Sequence, residues 1–161
     1  MHIRSYVPSD QAEVTKIAQE TFGPFYEQSF RSMVPAEVFT HQHGDWADDF
    51  RRQIPTLNDP AHGQHVAVAE ADGAPLGFIA WSIDVQRHHG EIEMLAVREA
   101  RRRSGIGRAL CEHALTHMRA ATVLVVEVGT GGDGFHEPAR RLYESLGFSP
   151  IPVTYYLRSI A

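Results

Sequence analysis

A chain of 161 residues with 22% charged and 43% hydrophobic residues is about one domain long and globular rather than disordered in composition. Its net charge of −5 argues against a nucleic-acid binder, which ordinarily carries a basic face over a basic total. The single cysteine, Cys111, excludes a disulfide framework, the first residues lack the apolar run of a signal peptide, and no stretch approaches the ~20 apolar residues of a membrane helix, so a cytoplasmic domain is expected.

In chain order, His2–Val7 reads as a strand, and Ser9 as the cap of a helix through about Thr21 with Asp10 and Glu13 in its first turn. From Phe22 to His65 the pattern is poor; prolines at 24, 35, 55 and 60 predict one or two short helices joined by loops. Residues 65–71 and 75–85 read as strands, with Asp72-Gly73 as the hairpin turn between them. Gly90–Val97 is the next strand. A helix from about Gly105 to Ala120 follows, with an apolar stripe of Ile106, Leu110, Cys111, Ala114, Leu115 and Met118. The β-branched run Thr122–Val128 predicts a buried strand. Pro138–Leu146 predicts a helix with Gly147 after its end, and Ile151–Leu157 a closing strand. Residues 1–161 are expected to form a single domain of α+β class.

The order strand, helix, strand over residues 90–128 predicts a right-handed crossover, so these two strands should run parallel. The stretch RRRSGIG then lies at the first strand's C-terminal end and opens the helix. A helix N-terminus presents unpaired N–H groups and a partial positive charge, which suits a phosphate. Gly105 and Gly107 would let a ligand approach the backbone, and Arg102, Arg103 and Arg108 would add charge-assisted contacts. By itself the stretch reads more simply as a basic loop before an ordinary helix. It lacks G-x-x-x-x-G-K-[ST], and the third glycine of the dinucleotide fingerprint is replaced by Leu110.

Two segments together decide between these readings. MLAVREARRRSGIGRAL resembles motif A of the GCN5-related N-acetyltransferase (GNAT) superfamily, L-x-V-x-P-x-x-[QR]-x-x-G-x-G, with Leu95, Val97, Arg102, Gly105 and Gly107 in register and Glu99 in place of the proline. PARRLYESLGF, residues 138–148, resembles motif B, A-x-x-L-Y-x-x-x-G-F. The resemblance covers residues 90–148. It implies a mixed, mostly antiparallel central sheet flanked by helices, with a splayed parallel strand pair at the cofactor site. It further implies acetyl-CoA as acyl donor, with its pantetheine arm between the splayed strands beside Leu95, Ala96 and Val97. Its pyrophosphate would be held by the loop from Arg102 and Arg103 through Ser104, Gly105, Ile106 and Gly107 to Arg108.

Transfer to an amine requires the amine to be neutral. An alkylammonium has a pKa near 10.4, so deprotonation at pH 7 costs roughly 4–5 kcal/mol. A carboxylate near the thioester would take that proton. Glu91 and Glu93 share a face of the strand, and Glu91 matches the base of the histone-type members of the superfamily. Glu127 is a further candidate, and a solvated sheet face is the bland alternative for all three. The backbone N–H at Leu95 would meet the developing oxyanion. Tyr143 stands where the superfamily's general-acid tyrosine stands, although Ala139, Leu142, Tyr143 and Leu146 also make one apolar stripe. His136 replaces an asparagine that often touches the cofactor arm, within the glycine-rich run GTGGDGFHEP, which reads as a flexible loop beside substrate or cofactor.

The histidine clusters His41/His43, His88/His89 and His113/His117 match no metal-ligand pattern, and no metal is expected. The acceptor is read as a small-molecule amine. A protein N-terminus or lysine, or a catalytically silent acyl-CoA sensor, is the alternative. Glu37, Asp45, Asp48, Asp49 and Asp59, with Phe39, Trp46 and Phe50 nearby, would suit a cation or simply form a solvated face. No nucleic-acid or membrane partner is expected, and a homodimer is compatible with the sequence.

Overall fold

Strand β1 (His2–Ser5) lies at one edge of a five-stranded sheet ordered β1-β2-β3-β4-β5. The computed structural model describes residues 1–160. Strands β2 (Gln64–Ala71), β3 (Ala74–Asp84) and β4 (His89–Val97) follow in antiparallel order, and β5 (Val125–Val128) pairs with β4 in parallel. The mixed, mostly antiparallel sheet and its parallel end pair agree with the expected fold class. Asp72 and Gly73 both have positive φ, 52° and 75°, as a two-residue hairpin turn matched to strand twist requires.

Helices cover both faces. Helix α1 (Gln11–Pro24) and α4 (Trp46–Gln53) lie on one face, where Val14, Ile17, Ala18 and Phe50 close over Val68, Phe78, Ala80 and Ala96. Helix α5 (Ile106–Ala120) and α6 (Glu137–Ser145) cover the other, where Leu110, Cys111, Ala114, Met118 and Tyr143 meet Ile79, Trp81 and Ile92. Each fully buried Val, Leu, Ile, Phe or Met among these stabilises by about 1.5–3 kcal/mol relative to an exposed one. Two apolar layers on one sheet therefore fix its register and hold β4 and β5 in place.

Four expectations need correction. Ser9 caps no helix: it lies in a 3-10 turn, Pro8–Asp10, and Asp10 takes the role. The buried Asp10 carboxylate accepts the Val7 N–H at 2.9 Å and is clasped by Arg4 at 2.7 and 2.8 Å. The Arg4 guanidinium, opposed by burial, holds that carboxyl below the usual carboxylate range. From Phe22 onward the chain is far more helical than its prolines suggest. Helix α1 runs through Pro24 and continues as a π-helical turn, Phe25–Phe30, then α2 (Arg31–Met33), α3 (Ala36–His43) and α4. Proline removes one helical hydrogen bond and crowds the carbonyl four residues back. Here Phe22 and Tyr26, stacked on Phe50 and Trp46 at 5.6 and 5.7 Å, hold the segment in place across that defect.

The run Thr122–Val128 is a strand only from Val125, and it is not buried: Leu124 is 80% and Val125 60% exposed. It is the sheet's last strand, so one edge is uncovered. Residues 151–157 form no strand. β-Branched composition expresses a preference for extended backbone, but a strand also needs a partner edge, and none is paired with this segment.

Candidate active site

Pairing between β4 and β5 begins at His89↔Val125 and ends at Ile92↔Val128. β4 then continues through Val97, so five residues keep an unpaired outer edge. The departure coincides with a bulge. Trp81 is opposite Ile92 and Ala80 is opposite Met94, leaving Glu93 as the extra residue. A bulge bends a strand and increases its local twist. It also changes which residues face which layer: Ile92 and Leu95 pack toward α5, whereas Met94 and Ala96 pack toward α1.

The opening so formed abuts the start of α5. Gly105 caps the helix at φ +82°, a conformation that glycine adopts without strain, and a Cβ built there would meet nothing within 4 Å. The first helical bond joins the Ala109 N–H to the Gly105 carbonyl at 3.0 Å. The amides of Ile106, Gly107 and Arg108 therefore have no helical partner. Gly107 lies in the floor, where a Cβ would stand 3.4 Å from Leu142 and 3.9 Å from Leu95 and Val97. An open glycine, three unpaired amides and a basic loop fit a phosphorylated ligand.

The arginines divide by role. Arg98 is tied to helix α1 through Glu13 and Glu20 and to the Pro75 carbonyl at 2.9 Å, so it is structural. Arg102 folds back on the Val97 carbonyl at 3.3 Å, and Arg108 reaches Ser145 Oγ at 2.7 Å. Arg103 sits at φ +61° with no hydrogen bond or ion pair among the described residues. Ser104 Oγ donates to the Arg101 carbonyl at 2.5 Å, closing the loop. The Ile106 side chain is buried in the core, so it offers a ligand only its amide.

Glu91 and Glu93 are exposed on β4, and Glu127 on β5 is the register partner of Glu91. Glu91 pairs with Ser82 on the α1 face of the sheet, and Glu127 approaches His89 Nε2 at 3.6 Å. Tyr143 belongs to the opposite face. It is 8% exposed, packs edge-on to Phe148 at 5.9 Å, and burial raises its phenol well above the ordinary value. Its neighbour Cys111 is likewise pushed up by burial, to about 12. The Tyr143 hydroxyl makes no hydrogen bond among the described residues. Helix α6 ends where Gly147 and Phe148 donate to the carbonyls of Glu144 and Tyr143, at 3.0 and 3.1 Å. This fixes the tyrosine's turn of helix. The structure thus places Glu91 and Tyr143 on opposite faces of the sheet, with Glu91 inside the paired segment just before the strands part.

The glycine-rich run is ordered by contacts that the sequence reading missed. Asp133 Oδ1 meets His136 Nδ1 at 2.6 Å, and its other oxygen accepts the Phe135 N–H at 3.0 Å. Arg140 donates to the carbonyls of Gly131 and Asp133, and any Cβ on Gly131 would strike the Asp133–His136 pair. Phe25, from the π-helical turn, closes against His136 at 4.6 Å and Phe135 at 5.6 Å. The spacing of Asp133 and His136 was the available signal; the Phe25 contact has none in the sequence. His136 keeps only Nε2 for any ligand. No group of three His, Cys, Asp or Glu side chains among the described residues is arranged to hold a metal ion, and no helix there is long and apolar enough to cross a membrane.

Comparison with known proteins gives a consistent picture. Residues 17–148 match the model of the Acetyltransferase (GNAT) family. A mycothiol acetyltransferase of Thermomonospora curvata is 32% identical over 143 residues, covering 86% of this chain and 46% of that protein. The chain spans less than half the length of the curated relatives it matches. Among solved structures, a putative acetyltransferase of the GNAT family from Desulfovibrio desulfuricans superposes with a TM-score of 0.69 at 22% identity, covering 94% of this chain and 86% of that one. A GNAT family acetyltransferase from Brucella melitensis, solved in complex with acetyl-CoA, gives 0.55 at 24% identity over 86% and 80%.

Proposed function

Because this chain belongs to the Acetyltransferase (GNAT) family, we propose that it is an acetyl-CoA-dependent N-acetyltransferase acting on a primary amine by direct attack in a ternary complex. We take residues 1–161 to act as one acyltransferase domain, and the acceptor to be a small-molecule amine. The observation that carries this reading is the early end of β4–β5 pairing at Ile92 and Val128, beside three unpaired amides at the start of α5.

In this reading acetyl-CoA supplies an activated acetyl carbonyl to the gap between the strands. The outer edge of Leu95, Ala96 and Val97 pairs with the amides of the pantetheine arm, as a neighbouring strand would. The amides of Ile106, Gly107 and Arg108 hold the pyrophosphate, aided by the Gly105 turn, Ser104 and the charges of Arg102 and Arg103. His136 borders the arm through Nε2. Glu91 takes the proton lost by the attacking amine, directly or through a water, while Glu93 and Glu127 beside it attract the ammonium. The Leu95 N–H stabilises the carbonyl oxygen as it becomes negative. As the carbon–sulfur bond breaks, Tyr143 donates its phenolic proton to the departing sulfur. Burial favours the protonated phenol, which is the form a donor needs.

The test is thiol release from acetyl-CoA in the presence of spermidine, glucosamine or a peptide with a free N-terminus, with the acetylated product identified by mass. Release with a small amine supports the reading. Release with the peptide alone moves the acceptor class to proteins, and no product with any acceptor contradicts N-acetyl transfer.

A further inference from the structure

His136 stands at the N-cap of α6 without serving the helix, since its side chain makes no capping bond. Its ring is held from three sides instead. Asp133 Oδ1 lies 2.6 Å from Nδ1, and Phe25 and Phe135 pack edge-on at 4.6 and 5.0 Å. The Gly131 backbone passes so close to the pair that a Cβ there would stand 2.3 Å from Asp133 Oδ1 and 2.5 Å from His136 Nδ1. Arg140 secures that backbone through the carbonyls of Gly131 and Asp133.

These contacts fix the chemistry of the ring. Burial works against the charge of Asp133, but His136 and the Phe135 N–H outweigh it and hold the carboxyl below the usual carboxylate range. An ionised carboxylate only accepts, so Nδ1 carries the hydrogen and the lone pair of the neutral ring is left on Nε2. His136 has no other hydrogen bond or ion pair among the described residues. The one buried side-chain N or O atom without a partner among those residues is Thr21 Oγ1, so the unpartnered Nε2 is open to a ligand.

The loop that carries the pair leaves β5 at Val128, where the strands part. Phe25 follows Ala18 by seven residues, about two helical turns, and so continues the face of α1 that covers Met94 and Ala96. Its contact with His136 brings the ring to the side of the sheet on which Glu91 lies, opposite Tyr143.

An amine that arrives as an ammonium loses two protons on its way to an amide, and Glu91 accounts for the one released on attack. We propose that His136 is the catalytic residue that takes the other, before attack, and that Asp133 is its positioning residue. A proton of the bound ammonium passes to Nε2, its N–H bond breaks, and the electron pair stays on the amine nitrogen, which becomes the nucleophile. Asp133 stabilises the imidazolium, which then releases its proton to solvent. Imidazole is the side chain suited to taking up and returning a proton near neutral pH. This assignment rests on acyl transfer to an amine as proposed above.

The test uses whichever of spermidine, glucosamine or the peptide the wild type acetylates. At pH 7, His136→Gln should lower kcat/KM by about a hundredfold, the scale of a lost proton acceptor. Below the amine's own pKa, the free base supplied by solution rises tenfold per pH unit. The deficit should therefore narrow by up to tenfold per unit as pH is raised, while the rise in unfolding midpoint given by acetyl-CoA is kept. Asp133→Asn can donate to Nδ1 and so move the ring hydrogen to Nε2, and it should show the same pH-dependent deficit. Nitrogen chemical shifts of His136 report the tautomer without any acceptor: hydrogen on Nδ1 in the wild type and on Nε2 in Asp133→Asn. Full activity in His136→Gln, a deficit constant with pH, or a neutral wild-type ring protonated at Nε2 would each overturn the assignment and leave acyl transfer standing. A wild type that acetylates none of the three acceptors would overturn both.

Discussion

Ile92 and Val128 are the last register partners of the parallel pair, and the next residue of β4, Glu93, is the bulge that turns the strand away. Further along β4, Leu95 and Val97 border Gly107 at the start of α5, which in turn borders Leu142 of α6. The expected consequences concern what fills the gap and which side chains act across it.

Gly107→Ala should separate stability from binding. Alanine within a helix is favoured over glycine by about 1 kcal/mol. Its methyl would rest in ordinary contact with Leu142. The unliganded protein should therefore unfold at the same temperature or a few degrees higher, while the stabilisation given by acetyl-CoA shrinks. A full ligand-induced shift in the variant would mean that nothing approaches the backbone there.

Tyr143→Phe removes only a hydroxyl that has no protein partner. The midpoint of unfolding should move little and the acetyl-CoA shift should persist. Loss of a positioned acid typically costs 10²- to 10⁴-fold, so kcat should fall by about a hundredfold or more. An unchanged kcat would leave the tyrosine with packing alone.

Among the carboxylates, Glu91→Gln should lower kcat at least tenfold, by the scale of a lost proton acceptor. Glu93→Gln and Glu127→Gln should act mainly on the KM of a cationic acceptor. Steady-state kinetics of the three variants distinguishes these roles. A larger kcat loss at Glu93 or Glu127 would transfer the role to that residue.

Stability should fall as the solution is acidified below neutrality. Burial, reinforced by His117, lowers the pKa of both His65 and His113, which crowd Trp81 with ring centroids 5.4 and 6.0 Å away. The fold therefore holds them neutral, while the unfolded chain binds protons near the ordinary imidazole value of about 6.5. Their contribution is complete above that value and is lost as pH drops through it toward the folded values. Thermal midpoints measured across this window should decline, and the decline should flatten in His65→Gln/His113→Gln.

The parts legible in the sequence were those fixed by local backbone demands. The Asp72-Gly73 turn, the stripe of α5 and the Gly105, Gly107 and Gly147 positions each follow from conformations or contacts within a few residues. The parts misread depend on partners distant in sequence. Pro24 reads as a terminator, yet Phe50 and Trp46 hold the helix together across it. The run from Thr122 reads as buried, but burial is set by what lies beside β5. The glycine-rich loop reads as flexible, but Asp133, Arg140 and Phe25 close it around His136. The two segments at 90–107 and 138–148 bring Gly107 close to Leu95, Val97 and Leu142, whereas the opposition of Glu91 and Tyr143 across the sheet depends on the bulge.

The most direct test is thermal unfolding with and without acetyl-CoA at about 100 times its dissociation constant. Binding at that excess stabilises the folded state by about 2.7 kcal/mol. At roughly 2–4 °C per kcal/mol for a chain of this size, the midpoint should rise by about 5–10 °C. No rise at any attainable concentration would contradict the cradle at Gly105–Arg108, and the acyl-transfer reading with it.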